Sequence, residues 1–255
     1  MSTKTIIITG GTGKLGKQFV RFFFKKSYNV VFTSRSKSNI ESMLNEHRND
    51  PGKGKIYGIQ VNLEEEDAVL NIMNYLREHE LRPDCLINNA RNRDHLLKNK
   101  DGMPSREQWV GEFLLNVMVP FELSMALANE KGSNLKSIIN VSSMYGVVPP
   151  NPHLYEKQAD MVPVHYGTTK AALIHLTKEL SVRLAPRGIK VNAISYGGVR
   201  GRVDSRFEQR YARFCPLGRM LEEEEVVGAV DFLASDFSNG ITGHNLVVDG
   251  GWTVW

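Results

Sequence analysis

The sequence predicts an α/β fold. It reads as one domain over residues 1–255, a doubly wound parallel sheet of about seven strands with helices on both faces. Three observations predict this. Apolar, β-branched runs recur along the chain and are continuous rather than alternating, as strands covered on both faces are. Segments with helical periodicity separate them. No internal repeat, low-complexity tract or linker interrupts the alternation.

The strands are expected at 5–8, 29–33, 56–61, 84–87, 137–141, 189–194 and 246–251. The first runs into Thr9-Gly10-Gly11-Thr12-Gly13-Lys14-Leu15-Gly16, followed by a phenylalanine-rich helical segment from 17 to about 26 and then the second strand. Glycines permit a tight turn and close backbone approach, and a helix N-terminus offers free N–H groups to a pyrophosphate. In this strand–turn–helix–strand context the motif points to a dinucleotide-binding Rossmann fold. The second strand ends in Thr33-Ser34-Arg35. Folds that prefer NAD often place an acidic residue there for the ribose 2′-hydroxyl. Here Ser34 is neutral, Arg35 is cationic, and Lys14 in the glycine turn adds a second cation. Arginine can donate a bidentate pair to a 2′-phosphate, so NADP(H) is expected over NAD(H).

A helix is expected over 39–47, an exposed loop over 49–54, and a helix over 64–80 with the acidic first turn that the helix dipole favours. The third strand ends at Asn62-Leu63 and the fourth at Asn88-Asn89-Ala90, at carboxyl ends where open α/β sheets hold ligands. Residues 91–106 read as loop. A long helix over 108–129 carries Asn116 among apolar residues, and Pro120 predicts a kink. A buried asparagine there needs hydrogen-bond partners. The fifth strand ends at Ser142-Ser143, and four prolines between 149 and 163 mark an irregular insertion.

The helix that follows opens on Tyr166-Gly167-Thr168-Thr169-Lys170 and runs to about Leu184. Tyr166 and Lys170 are four residues apart and share a helix face. A phenol alone is a poor proton donor or acceptor at neutral pH, and an ammonium beside it favours the phenolate. Such a pair suits general acid–base chemistry on an alcohol or carbonyl. Beyond the sixth strand, Ser195-Tyr196-Gly197-Gly198-Val199 turns outward. The arginine-rich stretch inside 197–218 suits a mobile lid over a site, and a helix is expected over 222–234.

Composition narrows the function classes. Hydrophobic residues make up 41% and charged residues 24%, an ordinary globular balance. The net charge of +4 is dispersed, which argues against a nucleic-acid partner. Cys85 and Cys215 lack metal-ligand spacing, the histidines are scattered, and no metal is expected. His165, beside Tyr166, reads as a pocket or packing residue rather than a ligand. With no signal-peptide pattern and no apolar run near the ~18 residues of a span, a soluble cytoplasmic protein without a membrane partner is expected.

Taken together, the glycine turn, Asn88-Asn89-Ala90, Asn116, Ser142-Ser143, Tyr166 to Lys170, Val191-Asn192-Ala193-Ile194, Ile241-Thr242-Gly243 and Val248-Asp249-Gly250-Gly251 resemble the short-chain dehydrogenase/reductase family over the whole chain. Each motif is weak or moderate alone; their order and spacing are specific. The resemblance implies a catalytic tetrad. Tyr166 would be the acid–base, and Lys170 would hold the nicotinamide ribose and assist Tyr166. Ser143, three residues before Gly146, would bind the substrate oxygen, and Asn116 would hold a water that passes protons to Lys170. It also implies cofactor contacts from Gly10, Thr12, Gly13, Lys14, Leu15, Gly16, Ser34, Arg35, Asn62, Leu63, Asn89, Ala90, Tyr166, Lys170 and Val199. In the family the tyrosine usually stands about a dozen residues after the serine, where this chain has Tyr155. Tyr155 has Ala159 four residues on, not a lysine, so Tyr166 is preferred, with an insertion of about ten residues before it that is expected to form part of the substrate pocket.

Three departures from the family pattern stand out: Gly13-Lys14 in the turn, Arg91 in place of a glycine, and Tyr196 in place of a proline. The chain is similar to a subgroup linked to bacterial surface-sugar biosynthesis, including flagellin-modifying sugars of the legionaminic acid type. The implied reaction is hydride transfer between NADP(H) and a secondary alcohol or ketone, with a phosphorylated or acidic sugar as candidate substrate. Arg91, Arg93, Arg200 and Arg202 are candidates to meet its anion. Alternatives are a 3-oxoacyl thioester reductase and a non-catalytic NADP(H)-binding sensor or scaffold. Homodimers or homotetramers are expected.

Overall fold

The structure is a computed structural model and describes residues 3–48 and 54–255. Apart from Gly54, the loop expected at 49–54 lies outside the described residues. Seven strands form one sheet: β1 (Thr5–Ile8), β2 (Asn29–Ser34), β3 (Ile56–Gln60), β4 (Cys85–Asn88), β5 (Ser137–Ser143), β6 (Lys190–Tyr196) and β7 (Asn245–Val248). Their order is β3-β2-β1-β4-β5-β6-β7, and every pairing is parallel. The chain reverses its direction of travel across the sheet between β1 and β4, and such a switch point opens a crevice at the strands' carboxyl ends.

Period-two geometry sends alternate strand residues to opposite faces. Ile7, Val31, Leu86, Ile138 and Val191 meet α3 (Ala68–Glu78), α5 (Val119–Asn129) and α6 (Val164–Leu184) on one face. Ile6, Ile8, Val30, Phe32, Ile87 and Ile194 meet α1 (Lys14–Lys25), α2 (Lys37–Glu46) and α8 (Val226–Ala234) on the other. The phenylalanines of α1 fall on this pattern: Phe19, Phe23 and Phe24 are buried.

Several expectations shift in register or form. The helix expected over 64–80 begins only at Ala68, because the Asn62 side chain accepts from the Glu64 N–H and residues 62–67 form turns, so the acidic run precedes the helix. The helix expected over 108–129 is three pieces: α4 (Arg106–Phe113), a π turn over Leu114–Met118, and α5. The kink thus lies just ahead of Pro120. Proline has no N–H, so the carbonyl four residues back, that of Asn116, loses its helical donor, and the Val119 N–H reaches back to Leu114 instead. The run Arg106–Asn129 is long and apolar enough to pass for a membrane span, but half of it is buried in the core. The expected lid contains a formed helix, α7 (Ser205–Phe214), capped by the Asp204 carboxylate accepting from the Phe207 N–H at 2.8 Å. The insertion holds two 3-10 turns, Pro152–Leu154 and Gln158–Asp160.

The family-like C-terminal motifs have local causes. Asn192 donates to the Ile241 carbonyl at 2.9 Å and accepts from the His244 N–H at 3.0 Å, tying β6 to the loop before β7. Asp249 accepts from the N–H groups of Gly251 and Thr253, each at 2.8 Å, and folds the chain end back. Trp252 then stacks on Tyr211 of α7, ring centroids 4.4 Å apart.

Candidate active site

One cavity of about 670 Å³ opens at the carboxyl ends of the strands, within the size range of small-molecule sites. Its first wall is the glycine turn. Gly10 has φ +64, and a Cβ there would stand 2.8 Å from the Ala90 backbone, so only glycine lets the turn lie against the end of β4. Gly13 caps α1, and no side chain accepts from the helix's first N–H groups, which are left for a ligand at the cavity edge. This cradle fits a dinucleotide pyrophosphate. Thr12, Lys14 and Leu15 line the cavity with Gly10 and Gly13. Gly16 does not. A Cβ on it would fall 2.2 Å from the Gly10 carbonyl, so its role is to let α1 pack on the turn.

At the next corner, Ser34 and Arg35 line the cavity, as do Asn62 and Leu63. The Ser34 and Thr12 hydroxyls are 2.8 Å apart. Arg35 lies 3.8 Å from the Glu64 carboxylate and donates to Asn92 Oδ1 at 3.3 Å. Glu64 also accepts from Asn92 at 2.9 Å and faces His95 Nε2 at 3.1 Å. Glu64, Asn92 and His95 had no signal in the sequence beyond being polar residues near strand ends. Lys14 is not a second cation for this corner. Its ammonium is turned toward the end of β6, donates to the Val199 and Arg200 carbonyls, and pairs with Glu223 at 3.4 Å.

The catalytic candidates converge on the same cavity. Ser143, Tyr166 and Lys170 line it, with Asn89, Ala90 and Val199. Asn89 donates to the Thr9 and Gly10 carbonyls and so ties β4 to the glycine turn. Strand alternation separates the two serines: Ser142 donates to the Lys170 carbonyl at 3.0 Å, whereas the Ser143 hydroxyl accepts from the Tyr145 N–H at 3.2 Å and keeps its own proton for a ligand. Gly146 explains the serine-to-glycine spacing. A Cβ there would lie 2.8 Å from the Lys170 backbone, so glycine lets α6 pack against the serine turn.

Lys170 is buried and donates to the Val141 carbonyl at 2.9 Å. Burial pushes its ammonium down to about 8, the positive charge of Arg91 adds to that, and the negative charge of Glu112 opposes it. Glu112 is a buried carboxyl group that sequence reading missed, although it stands four residues before Asn116 on the same helical run. Its Oε2 accepts from Asn116 Nδ2, and Thr169 links the pair to α6, accepting from Asn116 at 3.1 Å and donating to the Tyr166 carbonyl at 3.0 Å. A second cavity, of about 10 Å³, is lined by Asn88, Asn116, Pro120 and Lys170. Asn88 Oδ1 and Asn116 Oδ1 are buried there without a protein donor, which supplies the size and acceptors one water needs.

The substrate end is aromatic. Tyr145, Tyr155, Phe207 and Tyr211 line it with Met144 and Val162. Tyr155, rejected as the acid–base, faces the cavity from the insertion, its hydroxyl 3.1 Å from that of Tyr145. Tyr196 also lines the cavity, and its hydroxyl donates to the Val226 carbonyl at 2.5 Å, so its departure from proline anchors α8. His165 is fully buried, bonded to the His95 carbonyl at 2.7 Å and packed on Trp109, the packing residue expected. Among the described residues no His, Cys, Asp or Glu cluster fits a metal.

Comparison with known proteins agrees with this geometry. A family model described as Enoyl-(Acyl carrier protein) reductase matches residues 13–253. The chain is 29% identical over 257 residues to the 3-oxoacyl-[acyl-carrier-protein] reductase FabG of Thermotoga maritima, covering 98% of both. It is 35% identical over 122 residues, 48% of each chain, to Post-translational flagellin modification protein A of Campylobacter coli. A crystal structure of a short chain dehydrogenase from Leptospira borgpetersenii with bound NAD+ superposes with a TM-score of 0.85 at 32% identity, covering 99% of this chain and 94% of that one.

Proposed function

As the chain belongs to the short-chain dehydrogenase/reductase family and is a nicotinamide-dependent oxidoreductase, we propose that it moves a hydride between NADP(H) and a secondary alcohol or ketone of a phosphorylated or acidic sugar. One observation carries the reading: Ser143, Tyr166 and Lys170 open onto the cavity that the glycine turn also lines. When bound, the nicotinamide would supply the hydride in reduction and accept it in oxidation. Tyr166 gives the proton to the substrate oxygen in reduction and takes it in oxidation, and Ser143 donates to that oxygen as charge develops. Lys170 binds the ribose and supports Tyr166, and Asn116 holds the water that relays protons to Lys170. NADP(H) preference is supported by the neutral Ser34 and by Arg35 at the cavity edge. The sugar class is supported by the flagellin modification relative. The enzyme works as a cytoplasmic homodimer or homotetramer, associating through apolar groups exposed on α4, the π turn and α5, among them Val110, Phe113, Met118 and Phe121.

Fluorescence titration with NADPH and NADH tests the cofactor; equal affinities would sink the assignment to Arg35. Tyr166→Phe should lower turnover by about 10³-fold or more, within the range of general acid–base catalysis, and leave dinucleotide binding intact. Near-normal activity in that variant would overturn the mechanism. Similarity to FabG over nearly the whole chain favours one second reading, a 3-oxoacyl thioester reductase. Turnover of an acetoacetyl thioester, with none of keto sugar phosphates or keto sugar acids, would decide for it.

A further inference from the structure

We propose that Arg91, Arg93 and Arg202 form a subsite for an oxyanion carried by the substrate itself, a phosphate or a carboxylate held beside Tyr166. The inference rests on the dehydrogenase reading of the same cavity. The three side chains come from two separate loops, one after β4 and one after β6, and all three line the cavity. The Arg91 guanidinium lies over the Tyr166 ring, 4.8 Å from its centroid, so an anion bound there would sit next to the acid–base group.

The other cations nearby are already engaged. Arg35 is assigned to the cofactor's 2′-phosphate at the far corner, beside Glu64 and Asn92, and Lys14 is held by Glu223 and two carbonyls. Arg210 bonds to the Leu154 carbonyl and Glu156. Arg200, a candidate on sequence grounds, is paired with Glu222 at 2.6 Å and Glu208 at 3.6 Å, and it does not line the cavity. By contrast, Arg91, Arg93 and Arg202 have no ion pair and no side-chain hydrogen bond among the described residues. Glu64 and Asp94 line the same cavity, but Glu64 is held by Arg35, Asn92 and His95, and Asp94 forms no ion pair with the three.

Three guanidiniums gathered without an ion-paired carboxylate repel one another, and the negative charge of Glu223 opposes this at Arg202. Burial pushes Arg202 below the usual arginine range, and the positive charges of Arg91 and Arg93 push it further. A bound oxyanion relieves that repulsion, and the guanidinium fork matches phosphate and carboxylate oxygens in pairs. The pyrophosphate of the dinucleotide has a separate cradle at the N-terminus of α1, which leaves the arginines to a group on the substrate.

The test uses the full chain saturated with NADP+, titrated calorimetrically with inorganic phosphate and, in parallel, with acetate. At least one anion should bind at a single site, and Arg91→Gln and Arg202→Gln should each weaken that binding at least tenfold. Arg200→Gln should leave it unchanged. Dinucleotide affinity, measured first for every protein, confirms folding. If a glutamine variant loses it, Arg93→Gln, on an exposed loop, takes its place with the same expectation. Anion binding seen only without NADP+, and displaced by it, would mean that the arginines serve the cofactor, and the proposal fails. It fails equally if neither anion binds the loaded protein. A wild-type chain that binds neither NADPH nor NADH would instead sink the dehydrogenase reading.

Discussion

At the residue scale, one member of the pair proposed to carry the chemistry has a defined electrostatic setting. Lys170 is pushed down to about 8 from an ordinary 10.5, chiefly by burial. Its folded value lies below its unfolded one, so the folded enzyme gives up this proton near pH 8 while the unfolded chain keeps it to higher pH. Two consequences have opposite signs. The fold gains stability from this group as pH rises from about 8 toward 10.5. Steps that need the ammonium fade over the same range, so kcat/KM for carbonyl reduction should fall as pH passes about 8. A flat profile to pH 10 would remove Lys170 from the mechanism. Glu112 opposes the depression. Glu112→Gln keeps the shape of the group that holds Asn116, removes the charge, and should move the basic limb of the profile to lower pH. Arg91→Gln should move it upward. Tyr166, Lys170, Ser143 and Asn116 could be proposed from the sequence because the order and spacing of their motifs together are specific, whereas Glu112 could not. A glutamate on a helix ordinarily reads as a solvated face, and only tertiary packing shows that this one is buried.

Two glycines and one proline set the geometry at the scale of elements. Gly146→Ala would drive a Cβ to 2.8 Å from the Lys170 backbone. Overpacking of this kind costs about 1–3 kcal/mol, read as a lower midpoint in denaturant unfolding, with turnover lost as α6 is pushed from the serine turn. Gly10→Ala combines a left-handed φ with a 2.8 Å approach to Ala90 and should weaken dinucleotide binding more than it weakens the fold. Pro120→Ala restores an N–H to the helix. The Asn116 carbonyl would regain its helical donor, the π turn would relax toward α-helix, and turnover should drop by about tenfold, the equivalent of one hydrogen bond. The kink was readable from Pro120, but its place was not, because the proline acts on the carbonyl four residues behind it. Helix starts misread for a related reason. The acidic run 64–67 suits a first turn by charge, yet the Asn62 side chain captures the Glu64 N–H and delays the helix to Ala68.

Across the whole molecule, parallel pairing follows from the alternation of strands and helices, and the continuous apolar runs correctly implied a sheet covered on both faces. The sequence could not show how loops distant in the chain meet over the crevice. Lys14 turned out to be held by the far side of the cleft, and Arg200 by Glu208 of α7 and Glu222 beyond it, while Arg91 and Arg202 stayed open to the cavity. Such pairing depends on through-space partners that spacing does not encode. The insertion is the other such element. Tyr155 and Val162 face the cavity, so excising residues 149–163 should raise the substrate KM well above tenfold, with a smaller change in NADPH affinity. An unchanged KM would show that the insertion reads nothing. Sedimentation should return a dimer or tetramer, and a monomeric mass would leave the exposed apolar groups of α4, the π turn and α5 unexplained. Finally, the stack of Trp252 on Tyr211 joins the last residues of the chain to the wall of the cavity. That contact gives the protein a built-in optical reporter. Emission excited at indole wavelengths should change when the aromatic end of the cavity fills, and substituting Trp252 should remove that part of the signal, so unlabelled protein can be screened against candidate substrates before any turnover is known.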